Sequence, residues 1–412
     1  MKKNLLFIIA LLSFSILFPT LSLFLAGYRL NFEKKKIEQT GAIYIKTIPK
    51  NTKVTIDKKI KKETSPISGT VFIKNLLPKE YQVVIKKEGF YPWTKKLKVR
   101  EQKVESAVVV LFPQNISLSE ITKNINDFLF LEDGNLLTLE IENENWQVKK
   151  FPGEILVSSE MFPKKTEFVS FAILDNNSKL SIKVKEKEKE KSFVFDLKEK
   201  KLSELSEEEN IFLKEKIGNE EFVLTEDGFL LKNKKRINKE PIIIKKEKKY
   251  SIKIFRDFIF LFEIGKENDS NVYIFDKEKE SFEKIFEKII NFSLSPLKDK
   301  ILFFSDKEIF IFFLSDTFFE IEKRKGEILL LVRISEKIKG VSWLNNKYLA
   351  FLSSGRIRIA EVDDREKINI WDITDSFSLS DEKIEKFYFD LKKRNFYLLT
   401  SNYRLLTGKI FP

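Results

Sequence analysis

An all-β chain hung from one N-terminal apolar helix is what this 412-residue sequence predicts. Three observations carry that expectation. Leu5 to Ala26 is a run of 22 residues without a charge. From residue 41 onward, short runs of β-branched and aromatic residues alternate with turns built from Pro, Gly and Asn, which is the pattern of strands. Beyond residue 113 such runs recur at a mean interval of about 45 residues.

At 1.5 Å per residue the apolar run is roughly 33 Å long as a helix, close to the hydrocarbon thickness of a bilayer. Pro19 is tolerable in a membrane helix. Leu23-Phe24-Leu25-Ala26 places a bulky residue where a cleavage site needs a small one, and no Cys follows for a lipid anchor. Residues 1–28 are therefore expected to be an uncleaved signal anchor, with the helix near 5–26 and residues 29–40 as a juxtamembrane linker. Lys2 and Lys3 favour a cytoplasmic N-terminus, whereas Arg29, Lys34, Lys35 and Lys36 pull the other way. The short N-terminal tail and the general abundance of Lys favour N-inside. The expected localisation is a single-pass cell-membrane protein with the bulk of the chain extracytoplasmic.

Residues 41–113 read as a small β domain. Its strands are Ile43–Thr47, Val54–Asp57, Val71–Lys74, Tyr81–Lys86, Trp93–Val99 and Val104–Leu111. Alternation puts Val83 and Ile85 on one face and Gln82 and Lys86 on the other. The segment Gly41-Ala42-Ile43-Tyr44-Ile45-Lys46-Thr47-Ile48-Pro49, then Val54-Thr55-Ile56-Asp57, Leu77-Pro78, Tyr81-Gln82-Val83 and Lys87-Glu88-Gly89-Phe90 before Trp93, resembles the PEGA domain. That resemblance implies a short β-sandwich of bacterial and archaeal surface proteins, with no catalytic role. Two departures stand out. Only Pro49 survives of the tetrapeptide that names the family, and Lys58 and Lys79 replace turn glycines. Lys resists positive φ, so type I or slightly rebuilt turns are expected at both.

Residues 114–412 read as a β-propeller. Taking Phe130, Phe171, Val223, Phe260, Phe303, Ala350 and Leu398 as strand centres, the spacing is that of four-stranded blades. Seven blades are expected, with six as the alternative. Ser293 to Asp306, Val341 to Phe351 and, more weakly, Phe387 to Tyr397 resemble TolB-type, WD40-like repeats of extracytoplasmic propellers. Trp371-Asp372 is a lone dipeptide that lacks the His of the full WD40 network. The tracts Lys185–Lys191 and Asp276–Glu280 read as solvated hairpin tips.

Composition excludes much chemistry. With no Cys there is no thiolate nucleophile, disulfide or zinc ribbon; with no His there is no Ser-His-Asp triad, zincin or imidazole base. No glycine-rich phosphate loop is present. No catalytic, cofactor-binding or metal-binding residue is expected, and no cofactor. Asp363-Asp364 reads as a turn rather than a cation site.

The net charge of +13 is uneven. Residues 1–113 carry 22 basic and 8 acidic side chains, and residues 114–412 carry 53 and 54. Nucleic acid is not expected as a partner, because no recognition helix accompanies the charge. An anionic wall polymer or lipid headgroups fit better, beside the bilayer itself. Envelope proteins are the expected partners of the propeller. Lys86, Lys87, Tyr91, Trp93, Lys95 and Lys96 form the candidate surface-binding group, against the plainer reading that Tyr91 and Trp93 cap the sandwich core. The leading expectation is a non-catalytic, membrane-anchored binding or scaffold protein. Its alternative is a carbohydrate-active enzyme using propeller carboxylates. A sensor ranks last, since four residues precede the apolar run.

Overall fold

The computed structural model describes residues 2–32, 34–131, 133–162, 164–174, 178–204, 213–265, 270–379 and 382–411, without the side chains of residues 2–6, 8 and 9. It is mostly β. One α-helix, Lys2–Leu25, begins the chain. Among the described residues no helix is long and apolar enough to cross a membrane. The expected span is thus met by a helix over the expected residues but not by a span among the described ones; Leu5, Leu6, Ile8 and Ile9 lie outside the described side chains.

The expected linker at 29–40 is instead a β-hairpin, Tyr28–Asn31 paired with Lys36–Gln39. Its glutamate and asparagine sit on one face: Glu38 and Asn31 are buried and joined by a 2.6 Å hydrogen bond. Such reciprocal polar contacts supply the order that a linker would lack.

The small β module is a sandwich. A three-stranded sheet joins Thr70–Leu76, Gly41–Ile48 and Val104–Val110, the last two parallel. A four-stranded sheet joins Ile60–Glu63, Lys53–Ile56, Glu80–Lys86 and Trp93–Lys98. Period-2 alternation turns Ile43, Ile45, Ile56, Val83, Ile85 and Val109 into one shared core. The short strand Ile60–Glu63 was not expected, because it shows no inward–outward alternation: Lys61, Lys62 and Glu63 are all exposed. The turn before it is also a correction. Asp57 and Lys58 both have positive φ, 48° and 59°, and Lys59 N–H returns to Ile56 O at 3.0 Å. These are the φ signs and closing bond of a type I′ turn rather than a type I, set in the three-residue connection between paired Ile56 and Ile60.

Residues 119–409 form seven four-stranded antiparallel sheets among the described residues. Six follow chain order, from Asp127–Ser158 through Glu167–Glu204, Lys214–Arg236, Lys249–Ile289 and Asn291–Arg333 to Ile338–Asp372. The seventh is composite. Ile384–Asp390, Asn395–Thr400 and Arg404–Lys409 are joined by Ser119–Lys123 from the start of the array. Apolar clusters bridge neighbouring sheets. One joins sheets six and seven, another five and six, and a third links sheet seven to sheet one through Phe128, Leu136, Tyr397 and Leu405. The array is propeller-like in this sense: further clusters join sheets one and two, three and four, and four and five, so apolar faces of successive sheets pack on one another.

Two of the expected strand centres were one strand out of register. Phe130 and Phe171 lie on first strands, whereas Val223, Phe260, Phe303, Ala350 and Leu398 lie on second strands. With Leu139 and Ile182 in their place, the second-strand spacing runs from 37 to 48 residues and the long gap before Val223 disappears. The charged tracts are turns as expected. Lys187 and Glu188 form the tip between paired Glu186 and Lys189. Asp276 accepts the backbone N–H groups of Glu278 and Lys279.

Candidate functional site at the junction of the two β modules

The two β modules meet along two sheet edges. Strand Val104–Val110 ends the three-stranded sheet, so its outward N–H and C=O groups have no neighbouring strand. Side chains of the propeller-like array take that place. Arg365 donates to Ser106 O at 2.8 Å, Lys347 to Val108 O at 3.3 Å, and the Tyr348 hydroxyl accepts Val110 N–H at 3.2 Å. Glu320 accepts Val108 N–H and also pairs with Lys347. These partners engage residues 106, 108 and 110, the alternate positions whose backbone faces the open edge. The edge strand Trp93–Lys98 is met similarly, with Lys96 N–H donating to Glu366 at 2.7 Å.

Behind the edges lies a buried ionic cluster. Lys95 is fully buried on the core face with Trp93 and Leu97. Its ammonium donates to Asp363 O at 2.7 Å and sits 3.1 Å from Glu361 and 3.4 Å from the Asp363 carboxylate. Glu361 also accepts the Trp93 indole N–H at 2.9 Å, Asn369 Nδ2 at 2.9 Å and the Tyr348 hydroxyl at 3.3 Å. Arg365 reaches Asp363 Oδ2 at 2.7 Å and Glu105 at 2.5 Å, across the junction. Burial pushes the Asp363 carboxyl up, but the Arg365 guanidinium, with Lys95 beyond it, outweighs this and holds it below the usual carboxylate range. Burial, with Glu361 alongside, pushes the Tyr348 phenol well above its ordinary range, so it stays a donor.

Chemically, these carboxylates are saturated acceptors. A glycosidase needs one carboxyl held protonated by a raised pKa, and Asp363 is shifted the opposite way. Among the described residues no group of three or more Asp or Glu side chains is arranged to hold a metal. Beside the cluster lies a cavity of about 340 Å³, lined by Trp93, Val109, Leu297, Phe318, Phe319 and Lys347 among others. Phe318 and Phe319 are exposed.

The structure divides the six expected binding residues. Lys86 and Lys96 are exposed on the outer face of the four-stranded sheet, where Lys86 lies opposite Lys53. Lys87 donates to the carbonyls of Lys50 at 2.7 Å and Asn51 at 3.1 Å. Tyr91 packs on the core of sheets six and seven, its hydroxyl 3.1 Å from Ser376 Oγ. Trp93 and Lys95 are corrections: neither is on the surface, and Trp93 lies in the sandwich core as the plainer reading has it. Strand parity is the reason, since adjacent Lys95 and Lys96 must face opposite ways. Glu361, Asp363, Arg365 and Tyr348 were not anticipated, and Asp363 is a buried ion-pair residue rather than a plain turn. A signal was present. Lys95 shares inward parity with Trp93 and Leu97, and Glu361 shares it with Ile357 and Ile359, so each strand carries one inward charge of opposite sign.

Residues 40–115 match the PEGA domain. The search of curated proteins found no match. Among solved structures, the C-terminal WD40 domain of Sif2 is 10% identical, covering 90% of this chain and 95% of its own, with a TM-score of 0.41. Virginiamycin B lyase from Staphylococcus aureus is 12% identical over 72% of this chain and 100% of its own, at 0.42. YCF48 from Cyanidioschyzon merolae is 9% identical over 71% and 98%, at 0.38.

Proposed function

We propose that this protein is a non-catalytic binding or scaffold protein, held at a membrane by its N-terminal helix with residues after the helix outside the cytoplasm. In this reading the seven sheets are blades of one closed propeller. The observation that carries it is the junction: the buried carboxylates Glu361 and Asp363 are engaged in locking the PEGA module to sheet six, not in presenting a reactive pair. What remains available is surface. The outer face of the PEGA four-stranded sheet exposes Lys53, Lys61, Lys86, Lys96 and Lys98. An anionic wall polymer is the ligand that such a face fits, and envelope proteins suit the broad surface of the propeller.

The test uses the full chain in detergent and isolated cell wall. Binding is expected at 0.1 M salt and should fall steeply by 1 M, as the Debye length shrinks from about 10 Å to about 3 Å. Changing Lys53, Lys86 and Lys96 together to Glu should weaken it at least tenfold. Absence of binding at low salt, or an unaffected variant, overturns the wall-polymer assignment. Protease added outside intact cells should degrade the β modules, and complete protection overturns the orientation.

A further inference from the structure

We infer that the hairpin Tyr28–Gln39 is a membrane-interface element, seated in the headgroup layer with Leu30, Phe32 and Ile37 directed into lipid. The inference rests on the reading of the N-terminal helix as a membrane anchor. It begins with how the helix ends. A helix leaves its last carbonyls without partners, and here the hairpin supplies them. The Arg29 guanidinium donates to Phe24 O at 2.7 Å and lies 3.5 Å from the Phe24 ring centroid. Gln39 Nε2 reaches Ala26 O at 3.4 Å, and Thr40 donates to Gly27 O through both its N–H, at 2.9 Å, and its hydroxyl, at 2.8 Å. Both ends of the hairpin are therefore tied to the end of the helix. A helix of 24 residues is about 36 Å long, so a hairpin fixed at its end lies at the depth of the headgroups.

The two faces of the hairpin differ in chemistry. Leu30 stands directly opposite Ile37 in the ladder, and Phe32 follows in the turn after Asn31. They are 49%, 57% and 81% exposed, apolar side chains that no other part of the chain covers to any large extent among the described residues. The opposite face is ionic. Glu38 accepts Asn31 at 2.6 Å and pairs with Lys34 at 3.0 Å and Lys36 at 2.9 Å. The Asn31 hydrogen bond, with the two lysines, holds the Glu38 carboxyl at about 2, so it stays ionised. Residues 28–39 carry four basic and two acidic side chains, a net +2 that complements an anionic leaflet. An apolar face backed by a basic one is the composition of an interfacial element.

The chain contains no Cys, so single Cys residues can be spin-labelled without background. Leu30→Cys, Phe32→Cys and Ile37→Cys are placed on the full chain in vesicles of phosphatidylcholine with phosphatidylglycerol. Phe14→Cys reports on the helix, and Lys187→Cys, at an exposed hairpin tip, reports on water. The hairpin labels are expected to collide preferentially with oxygen over a water-soluble nickel chelate, between the deeper Phe14 label and the aqueous Lys187 label. Hairpin labels as aqueous as Lys187, with Phe14 still in lipid, overturn this inference and leave the anchor standing. An aqueous Phe14 label overturns the anchor reading, and if the hairpin labels are aqueous too, both fall. Hairpin labels in lipid with Phe14 in water would keep the hairpin as the membrane contact and discard the spanning helix.

Discussion

Lys95 ties the PEGA module to sheet six. It is a cation with no solvent exposure, held between two carboxylates of the other module. Removing one partner of such a cluster leaves buried charge uncompensated, which costs about 3–5 kcal/mol. Lys95→Met should lower the stability of the full chain by that amount in urea unfolding. Adding Glu361→Gln should restore part of it, since one stranded charge is then gone; a neutral single variant would show that water reaches the cluster. Acid should act through Asp363. Its folded pKa lies below the ordinary value of about 3.9. A depressed carboxylate contributes stability above the unfolded pKa and loses it as pH falls through the folded one. The deficit of Asp363→Asn against the wild type should therefore be full at pH 7 and shrink below about pH 4. A deficit that does not change with pH would assign the effect of Asp363 to packing.

At the scale of elements, the Asp57-Lys58 turn shows what a local pattern can hide. Asp57 is held in place by accepting Gln82 N–H at 2.9 Å and Lys79 Nζ at 2.9 Å, so the turn is anchored from the neighbouring strand. Lys58, with φ of 59°, has no comparable reason to occupy the left-handed region. Lys58→Gly should stabilise the module by about 0.5–1 kcal/mol, seen as a higher urea midpoint at unchanged slope. An unchanged midpoint would mean that the gain is cancelled by the greater freedom of Gly when unfolded. The strands themselves were legible because alternation is a property of consecutive residues: Tyr81, Val83 and Ile85 announce a buried face without help. Ile60–Glu63 and the Tyr28–Gln39 hairpin were not, because their order comes from partners elsewhere in the chain, Lys53–Ile56 for the first and the helix end for the second. The junction was half legible. Lys95 was singled out for its charge, but its destination depends on Glu361, 266 residues later in the sequence. No local pattern encodes that pairing.

At the scale of the molecule, the composite seventh sheet decides how the array responds to loss of its end. Its order places Arg404–Lys409 and Asn395–Thr400 between Ser119–Lys123 and Ile384–Asp390. Removing residues 395–412 would delete the two central strands and leave both outer ones without partners. The apolar cost falls on two interfaces at once. Phe396, Leu398, Leu406 and Ile410 belong to the cluster shared with sheet six, while Tyr397, Leu399 and Leu405 belong to the one shared with sheet one. At about 1.5–3 kcal/mol for each buried side chain, seven of them amount to roughly 10–20 kcal/mol. That is as large as the whole stability of a typical domain, about 5–15 kcal/mol, even after allowing for a compact unfolded state. In a closed ring the loss cannot be confined, because sheets one and six each lose a covered face. The truncated chain should therefore show no cooperative melt of the array, and amide exchange should rise in sheet one as much as in sheet six. If exchange rises in sheet six alone and the melt keeps its midpoint, the array is an open stack whose last member can fray, and the proposed ring is wrong.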